Sequence, residues 1–322
     1  MDADTGNDGN TGADWANAKE HLQAAVDLIT GVLTDEVTIH LKSNTTAAYG
    51  ETVDIYGIHG VGKDARLIIQ PEIWTAANYD DDDGDPFNAT PGAGTFDITA
   101  DDKPCVLEKE ITIENSRVEF RGMEFRGKLT VQNRSDVVVI YSRFTDDESM
   151  AFANSNASLA LENCYLNEMP IPVVAYGNST IALLGSNYII NPFITGVWAL
   201  LGSTIYVAPW EADPQGFYTL QIKTTPPRKA DFAAIKAVAK SYVHIKDADI
   251  NPWDLSVAKV EVVNDMTTLQ PNYYGVVLET ASVLQGADNM SFTTKNKKGD
   301  YVDMAYEQQI VAGDEQGTIV VS

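Results

Sequence analysis

A five-residue phrase recurs through the middle of the chain and constrains the fold more than any other feature. It consists of a small residue, any residue, an apolar residue, any residue and a second apolar residue, at 116–120, 135–139, 157–161, 179–183, 203–207 and 241–245. The first apolar positions (118, 137, 159, 181 and 205) follow one another at 19, 22, 22 and 24 residues, and the next step, to 243, is 38 residues. A period near twenty residues with one alternating strand per unit indicates a stacked solenoid, in which an insertion lengthens the last step.

The alternation within each phrase predicts which side chains lie inside the coil. Residues two apart project to the same side of a strand, so each phrase supplies two inward residues, and stacking aligns them in columns. The first column comprises Val118, Val137, Leu159, Ile181, Ile205 and Val243. The second comprises Phe120, Val139, Leu161, Leu183, Val207 and Ile245. A third, at a tight inner corner, comprises Met123, Ser142, Cys164, Ser186 and Ala248.

The residues before the phrases suit the corners of such a coil. Asn115, Arg134, Asn156 and Asn178 each stand just before a phrase, and asparagine tolerates turn dihedrals. An ordinary β-sandwich is the alternative, but it does not predict columns that stay in register over five copies. The sequence therefore favours an all-β parallel solenoid.

Composition limits the partners of this 322-residue chain. Acidic residues outnumber basic ones by 46 to 22, for a formal charge of −24, which disfavours nucleic acid and anionic membranes. No apolar run is long enough to span a bilayer, and the start lacks the features of a signal peptide. We therefore expect either a mature fragment or release from the cell by another route. Cys105 and Cys164 are expected to be free and buried.

The N-terminal segment carries a second signal. Residues 2–12 are dense in Gly, Asn and Asp; Asp14 then offers an N-cap, and apolar residues recur at helical spacing from Trp15 to Ile29. Strands are predicted at 37–41, 51–55 and 65–70. This order resembles the start of pectate-lyase-like right-handed parallel β-helix proteins, and it is closest to bacteriophage tailspike and related virion proteins.

The resemblance implies a right-handed parallel β-helix with an N-terminal capping helix and a C-terminal β segment. We divide the chain into a lead-in and capping helix at 1–36, the β-helix at 37–265 with an insertion at about 209–240, and a C-terminal β cap or oligomerisation segment at 266–322. A short helix is expected at 229–240, a further coil at 259–263, and a hairpin turn at 296–300.

The sequence offers few signs of catalysis. The motif set of polygalacturonase-type enzymes is absent apart from Asp146-Asp147, and no histidine has a second metal ligand at usable spacing. His244, Asp247 and Asp249 share one coil without a shared face. We therefore expect no catalytic residues and no cofactor, with calcium as the sole exception.

Four groups of residues are the candidate sites. Asp80, Asp82, Asp83 and Asp85 form an acidic loop that is either solvated or a calcium site. Arg117, Arg121, Arg126, Arg134 and Arg143, beside Glu114, Glu119 and Glu124, form either salt-bridge ladders or a groove for anionic sugars. Candidate contacts to a glycan or a partner are Trp210, Phe217 and Tyr218, which also suit packing on the chain's own coils. Candidate oligomer contacts are Tyr273, Tyr274, Val276 and Leu278.

The function that the resemblance implies is a non-enzymatic virion protein: a decoration, fibre or receptor-binding component. Its expected partners are its own copies in a homotrimer, other virion proteins and a host-surface polysaccharide. Its expected location is the virion, outside the cell after release. Two alternatives stay open: a polysaccharide lyase or glycoside hydrolase with a groove along the coils, and a surface adhesin.

Overall fold

The fold is a parallel β-helix. The computed structural model describes residues 1–29, 31–42, 48–62, 64–72, 74, 105–208, 220–224, 232–245, 258, 260–264, 273–295, 301–304, 309–312 and 318–320. Within these residues, almost all regular structure is β-strand, and the strands stack in large parallel sheets. The solenoid that the repeat predicts is confirmed.

The strands are numbered in chain order, and one short helix, α1 (Leu22–Val26), precedes them. Their bounds are β1 Val32–Leu33, β2 Val37–Leu41, β3 Val53–Tyr56, β4 His59–Gly60, β5 Leu67–Pro71, β6 Cys105–Leu107, β7 Ile111–Glu114, β8 Arg117–Arg121, β9 Met123–Phe125, β10 Lys128–Gln132, β11 Asp136–Ile140, β12 Arg143–Phe144, β13 Met150–Ala153, β14 Ser158–Glu162, β15 Tyr165–Asn167, β16 Val173–Tyr176, β17 Thr180–Leu184, β18 Asn187–Ile190, β19 Thr195–Leu200, β20 Thr204–Ala208, β21 Leu220–Thr224, β22 Phe232–Val238, β23 Tyr242–Ile245, β24 Val260–Asn264, β25 Tyr273–Leu278, β26 Val283–Gln285, β27 Met290–Lys295, β28 Tyr301–Asp303, β29 Ile310–Ala312 and β30 Thr318–Val320. Short 3-10 turns lie at Trp15–Asn17 and Ala287–Asn289.

Three sheets form the walls of the solenoid. Sheet A has ten strands in the order β2-β5-β8-β11-β14-β17-β20-β23-β26-β30. Sheet B has nine, in the order β29-β25-β22-β19-β16-β13-β10-β7-β3, and sheet C has nine, in the order β28-β27-β24-β21-β18-β15-β12-β9-β6. From β6 onwards, each coil thus contributes one strand to C, one to B and one to A before the next coil begins.

The two long apolar columns form in the predicted register. Val137 pairs with Val118 on one side and Leu159 on the other, and the pairing continues without a shift to Val243. The second column is equally continuous from Phe120 to Ile245, and its members are fully buried. These columns are the centre of the hydrophobic core.

The third column needs one correction. Met123, Ser142 and Cys164 align as predicted, but the next member is Asn187 rather than Ser186, because Tyr165 pairs with Tyr188. The extra residue is absorbed at the corner, where Gly185 has a φ of 68°. Asn187 is buried, and its Oδ1 accepts a hydrogen bond from the Cys164 amide at 3.0 Å. Ala248 lies outside the described residues.

The corners before sheet A depend on left-handed residues followed by buried serines. Asn115, Arg134, Asn156 and Asn178 all have positive φ, between 48° and 64°. The small residue that follows is buried, and at 116, 135 and 179 it is a serine whose hydroxyl bridges coils. The Ser135 hydroxyl, for example, accepts from the Ser116 amide at 3.2 Å and donates to the Gln132 carbonyl at 2.7 Å. These bonds satisfy corner groups that the sheets leave unpaired.

The N-terminal helix is much shorter than the spacing predicted. Asp14 does act as an N-cap, with its side chain accepting from the Asn17 amide, but the turn it caps ends at Asn17 and only the five residues of α1 follow. The chain between them is held in other pairings, since the Ala18 and Lys19 carbonyls accept from the amides of Asn7 and Asp2. The N-terminal helix is therefore present, but the helical spacing from Trp15 to Ile29 is reduced to the five residues of α1.

The long step between the fifth and sixth phrases contains a complete coil. β21 lies in sheet C and β22 in sheet B, and residues 209–219 and 225–231 lie outside the described residues. The helix expected at 229–240 is wrong, because Phe232–Val238 is a strand paired with β19 and β25. Sheet pairing overrides the local helical spacing there.

The C-terminal part adds further strands to the same sheets. β24 supplies the expected further coil, and β25, β26, β29 and β30 pair in parallel with the strands below them. β27 and β28 pair antiparallel, which confirms the hairpin on either side of 296–300. The parallel stack thus reaches residue 320.

The columns predict the cost of truncating a core side chain. Leu161→Ala removes a fully buried side chain between two others, so we expect it to lower the free energy of unfolding by about 2–5 kcal/mol in urea titrations. Leu184→Ala, in the same sheet but half-buried on the outer face, is the matched control and should cost about 1 kcal/mol or less. Equal costs for the two variants would contradict the inward column.

Candidate functional site

The outer faces of sheets A and C carry two glutamates that are almost fully buried. Glu119 on β8 is 2% exposed and Glu124 on β9 is 3% exposed. Both point away from the apolar core, because their strand neighbours Val118, Phe120 and Phe125 point inward. A buried carboxylate requires charged or hydrogen-bonding partners, and arginines supply them here.

Glu119 lies between two guanidinium groups. Arg66 contacts one carboxylate oxygen from the preceding coil at 2.5 Å, and Arg121 contacts the other from the same strand. Arg121 also donates to Gln70 Oε1 at 3.3 Å. The arrangement joins two coils and uses both oxygens of the carboxylate.

Glu124 has a similar pair of partners on sheet C. Arg126 Nε donates to one oxygen at 2.7 Å and Arg143 Nε to the other at 2.8 Å, while the Thr145 hydroxyl adds a contact at 3.1 Å. Burial by itself raises the pKa of Glu124, but the two arginines outweigh it and hold the pKa below its usual value.

These contacts decide how the arginine cluster is used. Salt-bridge ladders, one of its two interpretations, are present at Arg121, Arg126 and Arg143, and Arg117 approaches Asp136 at 3.5 Å. Arg134 is exposed at a corner. Guanidinium groups that are committed to buried carboxylates serve chiefly to join the coils.

Glu162 is the outer-face carboxyl whose environment differs most from these. It ends β14, is 7% exposed, and lies in the row of sheet A that also contains Arg121 and Ile140. Burial raises its pKa to about 7, the Glu119 carboxylate adds to the rise, and Arg66 opposes it. Glu162 is therefore largely protonated below neutral pH.

An aromatic pair lies at the same end of sheet A. The rings of Trp74 and Tyr141 are 5.9 Å apart, and Tyr141 follows β11 directly. The Tyr141 amide donates to the Glu162 backbone carbonyl at 2.9 Å. We call Arg66, Glu119, Arg121, Tyr141 and Glu162 the outer-face cluster.

The outer-face cluster was only partly visible in the sequence. The sequence identified Glu119 and Arg121 by their charge, but not Glu162, which ends an otherwise apolar phrase. The strand register would have found it, because counting outward residues places Glu162 two coils from Arg121 in the same row. Its protonation depends on burial, which the local sequence does not encode.

Several predicted site residues lie outside the described residues. These are the acidic-loop residues Asp80, Asp82, Asp83 and Asp85, and the aromatic residues Trp210, Phe217 and Tyr218. Of the His244 coil, Asp247 and Asp249 also lie outside. The described His244 is surrounded by aromatic rings, with Tyr206 at 5.1 Å and Tyr242 at 6.0 Å.

Two of the predicted oligomer contacts have another role. Val276 and Leu278 are fully buried in the chain's own core, where they pair with Ile235 and Ala237 of the coil below. Because they are covered within the chain, these two side chains are not available for contact with another copy. Tyr274 is half-buried, and the Tyr273 backbone pairs with Phe232.

Further features of the described residues are the possible metal ligands, the two cysteines and the helices. Among the described residues, no three His, Cys, Asp or Glu side chains group so as to hold a metal ion. Cys105 and Cys164 are buried thiols rather than a disulfide, as expected, and burial raises the pKa of Cys164 to about 12. No helix in the described part of the chain has the length and apolar character to cross a membrane.

Comparisons with known proteins leave the family open. The chain matches no protein-family model, no curated protein and no solved structure.

Neutralising Glu124 should destabilise the protein. In Glu124→Gln two arginines lose a buried partner, so we expect a fall of about 3 kcal/mol in the free energy of unfolding at pH 7. The pKa of Glu124 is lower in the folded state than in the unfolded state, where it is about 4.5. The ion pairs therefore stabilise the fold fully above pH 4.5, and this stabilisation is lost as the pH falls through the folded-state pKa. Urea titrations at pH 7 and pH 3.5 measure it, and an equal loss at both would contradict the ion-pair role.

Neutralising Glu162 should have the opposite effect. Its raised pKa means that the folded state gives up stability as the pH rises from about 4.5 through 7, as Glu162 ionises. Glu162→Gln removes that cost, so we expect a gain of up to about 3 kcal/mol at pH 8 that disappears near pH 4.5. Thermal melting across this range measures the difference. A variant that is less stable than wild type at pH 8 would show that Glu162 is ionised and paired.

Proposed function

We propose that this chain is a non-enzymatic structural protein of a phage-type virion, acting as a decoration, fibre or receptor-binding component. The observation that carries the proposal is the use of the buried outer-face carboxylates Glu119 and Glu124, which join coils through arginine pairs rather than facing an open cleft. The N-terminal resemblance to virion β-helix proteins supplies the context. A stiff, uniformly paired solenoid suits a mechanical role.

The outer face of sheet B suits side-by-side assembly of copies, here proposed as a homotrimer. Phe152, Val174 and Trp198 form an outward apolar row on three successive coils, in which Phe152 and Trp198 are half-buried and Val174 is 6% exposed, and Tyr176 is exposed beside it. Apolar side chains on the outer face of an otherwise acidic protein favour a protein contact. Other virion proteins and a host-surface polysaccharide are the further partners proposed.

The location can be tested directly. Virus particles purified by density gradient from the source culture should contain this chain in many copies, as measured by quantitative mass spectrometry. A chain that stays in the particle-free fraction would contradict the virion role.

Light scattering of the purified protein should give a trimer. Trp198→Glu should weaken this trimer, whereas Leu201→Glu, at an exposed corner, should not.

Glycoside hydrolysis is the second candidate, and the protonated Glu162 favours it. A carboxyl with a pKa near 7 can donate a proton to a leaving glycosidic oxygen, and the Trp74–Tyr141 pair offers an aromatic surface for a sugar ring. In this reading Glu162 is the general acid, and it lies beside the arginine-paired Glu119.

A glycan panel separates the two candidates. We expect purified protein to release no reducing ends or unsaturated products from neutral and acidic polysaccharides at pH 5–8. Turnover that Glu162→Gln abolishes and Glu168→Gln, an exposed glutamate, leaves intact would establish the hydrolase instead.

A further inference from the structure

A groove of about 670 Å³ opens at the N-terminal end of the solenoid. Its walls come from the N-terminal segment on one side and the first strand of sheet A on the other. We call it the end groove and define it by Trp15, Leu28, Ile29, Thr38, Ile39 and His40.

The end groove exists because α1 is too short to cover the open coil. Leu22 and Val26 of α1 are buried against the core, but beyond the helix Leu28 is 56% exposed. Trp15, on the preceding turn, is 46% exposed. Apolar side chains therefore face solvent where the interior of the solenoid ends.

One wall of the end groove is a partly unpaired strand edge. β2 is the first strand of sheet A, and its odd-numbered residues bond to β5: the Val37 amide donates to the Arg66 carbonyl at 3.0 Å, and the Leu41 carbonyl accepts from Glu72 at 2.8 Å. Since successive residues alternate, the even-numbered backbone groups point to the opposite edge.

Residue Met1 pairs with only half of that edge. Its amino group donates to the His40 carbonyl at 2.8 Å, and its carbonyl accepts from the Lys42 amide at 3.0 Å. Within the described part of the chain, the amide and carbonyl of Thr38 and the amide of His40 have no hydrogen-bond partner. An unpaired edge beside an apolar groove is the geometry that accepts an added strand.

Charge indicates what kind of segment fits. Asp14 and Glu72 lie on the rim with exposed side chains. The two ammonium groups of the lining are engaged, since that of Met1 donates to the His40 carbonyl at 2.8 Å and that of Lys19 to the Asp8 carbonyl at 2.7 Å. The chain as a whole carries −24, which disfavours a second copy and favours a basic partner.

We propose that the end groove binds an extended, basic peptide segment of a partner protein, which adds a strand beside β2 and places apolar side chains against Leu28 and Trp15. The backbone supplies the hydrogen bonds, and the groove selects alternate apolar residues. The proposal is independent of the virion role, since any partner with such a segment satisfies it.

The probe is a fluorescein-labelled nine-residue peptide of alternating valine and threonine with two lysines at each end. Fluorescence anisotropy with the full chain should show saturable binding. The same peptide with alternate backbone amides N-methylated should bind about tenfold more weakly or worse, because it cannot complete the ladder. A peptide with glutamates in place of the lysines should also bind more weakly.

Two variants locate the contact. Thr38→Pro removes an amide that points to the open edge and leaves the bonds to β5 intact, so it should abolish binding without a large change in melting temperature. Leu28→Asp should weaken binding about tenfold. Val61→Asp, which charges an equally exposed apolar residue outside the groove, is the control and should bind as wild type.

Each contrary outcome overturns the proposal. Absence of saturable binding at high micromolar peptide would do so, as would binding that N-methylation and Thr38→Pro leave unchanged. Self-association of the unmodified protein that Thr38→Pro abolishes would show that a second copy, rather than a basic partner, occupies the edge.

Discussion

The whole molecule depends on burial that no coil achieves alone. Each coil supplies one strand of sheet A, and that strand carries two inward apolar residues. These residues are covered only when the coils above and below present equivalent residues in the same register. Leu159 and Leu161, for example, are covered by Val137 and Val139 on one side and by Ile181 and Leu183 on the other. A shift by one residue would turn every inward side chain outward. Register is thus fixed by the hydrophobic effect over the length of the stack.

The polar groups at the corners and on the outer faces are satisfied by hydrogen bonds and ion pairs between coils. A residue in the left-handed conformation, such as Asn156, turns the chain from sheet B into sheet A. A buried hydroxyl such as that of Ser179 accepts a hydrogen bond from the neighbouring coil's Ala157 amide. Outside the walls, Glu119 and Glu124 join coils through arginines, so the outer faces are cross-linked as well as the core. Glu162 lacks such a pair, and it is the outer-face carboxyl whose protonation changes near neutral pH.

Features that follow the repeat of about twenty residues were predictable from the sequence, whereas segments in which strand pairing outweighs helical spacing were not. The columns through Val118 and Phe120 and the corner asparagines followed directly from spacing. The apolar residues of Phe232–Val238 fit helical spacing, but the segment pairs with strands on both sides and is itself a strand. Trp15 to Ile29 had helical spacing too, yet backbone pairing of Ala18 and Lys19 with the first residues shortens the helix. The raised pKa of Glu162 and the open edge at Thr38 both depend on how the coils stack, which the sequence of a single coil does not encode.

The register can be measured directly with a designed disulfide. Asp136 and Ser158 are exposed partners on adjacent strands of sheet A, at a separation that a disulfide can span. The variant D136C/S158C should therefore oxidise to an intramolecular disulfide, detected by mass spectrometry of the non-reduced protein, while D136C/A160C, displaced by two residues along the same face, should not. Efficient closure of the displaced pair with no closure of the first would show that the coils stack in another register and would contradict the account.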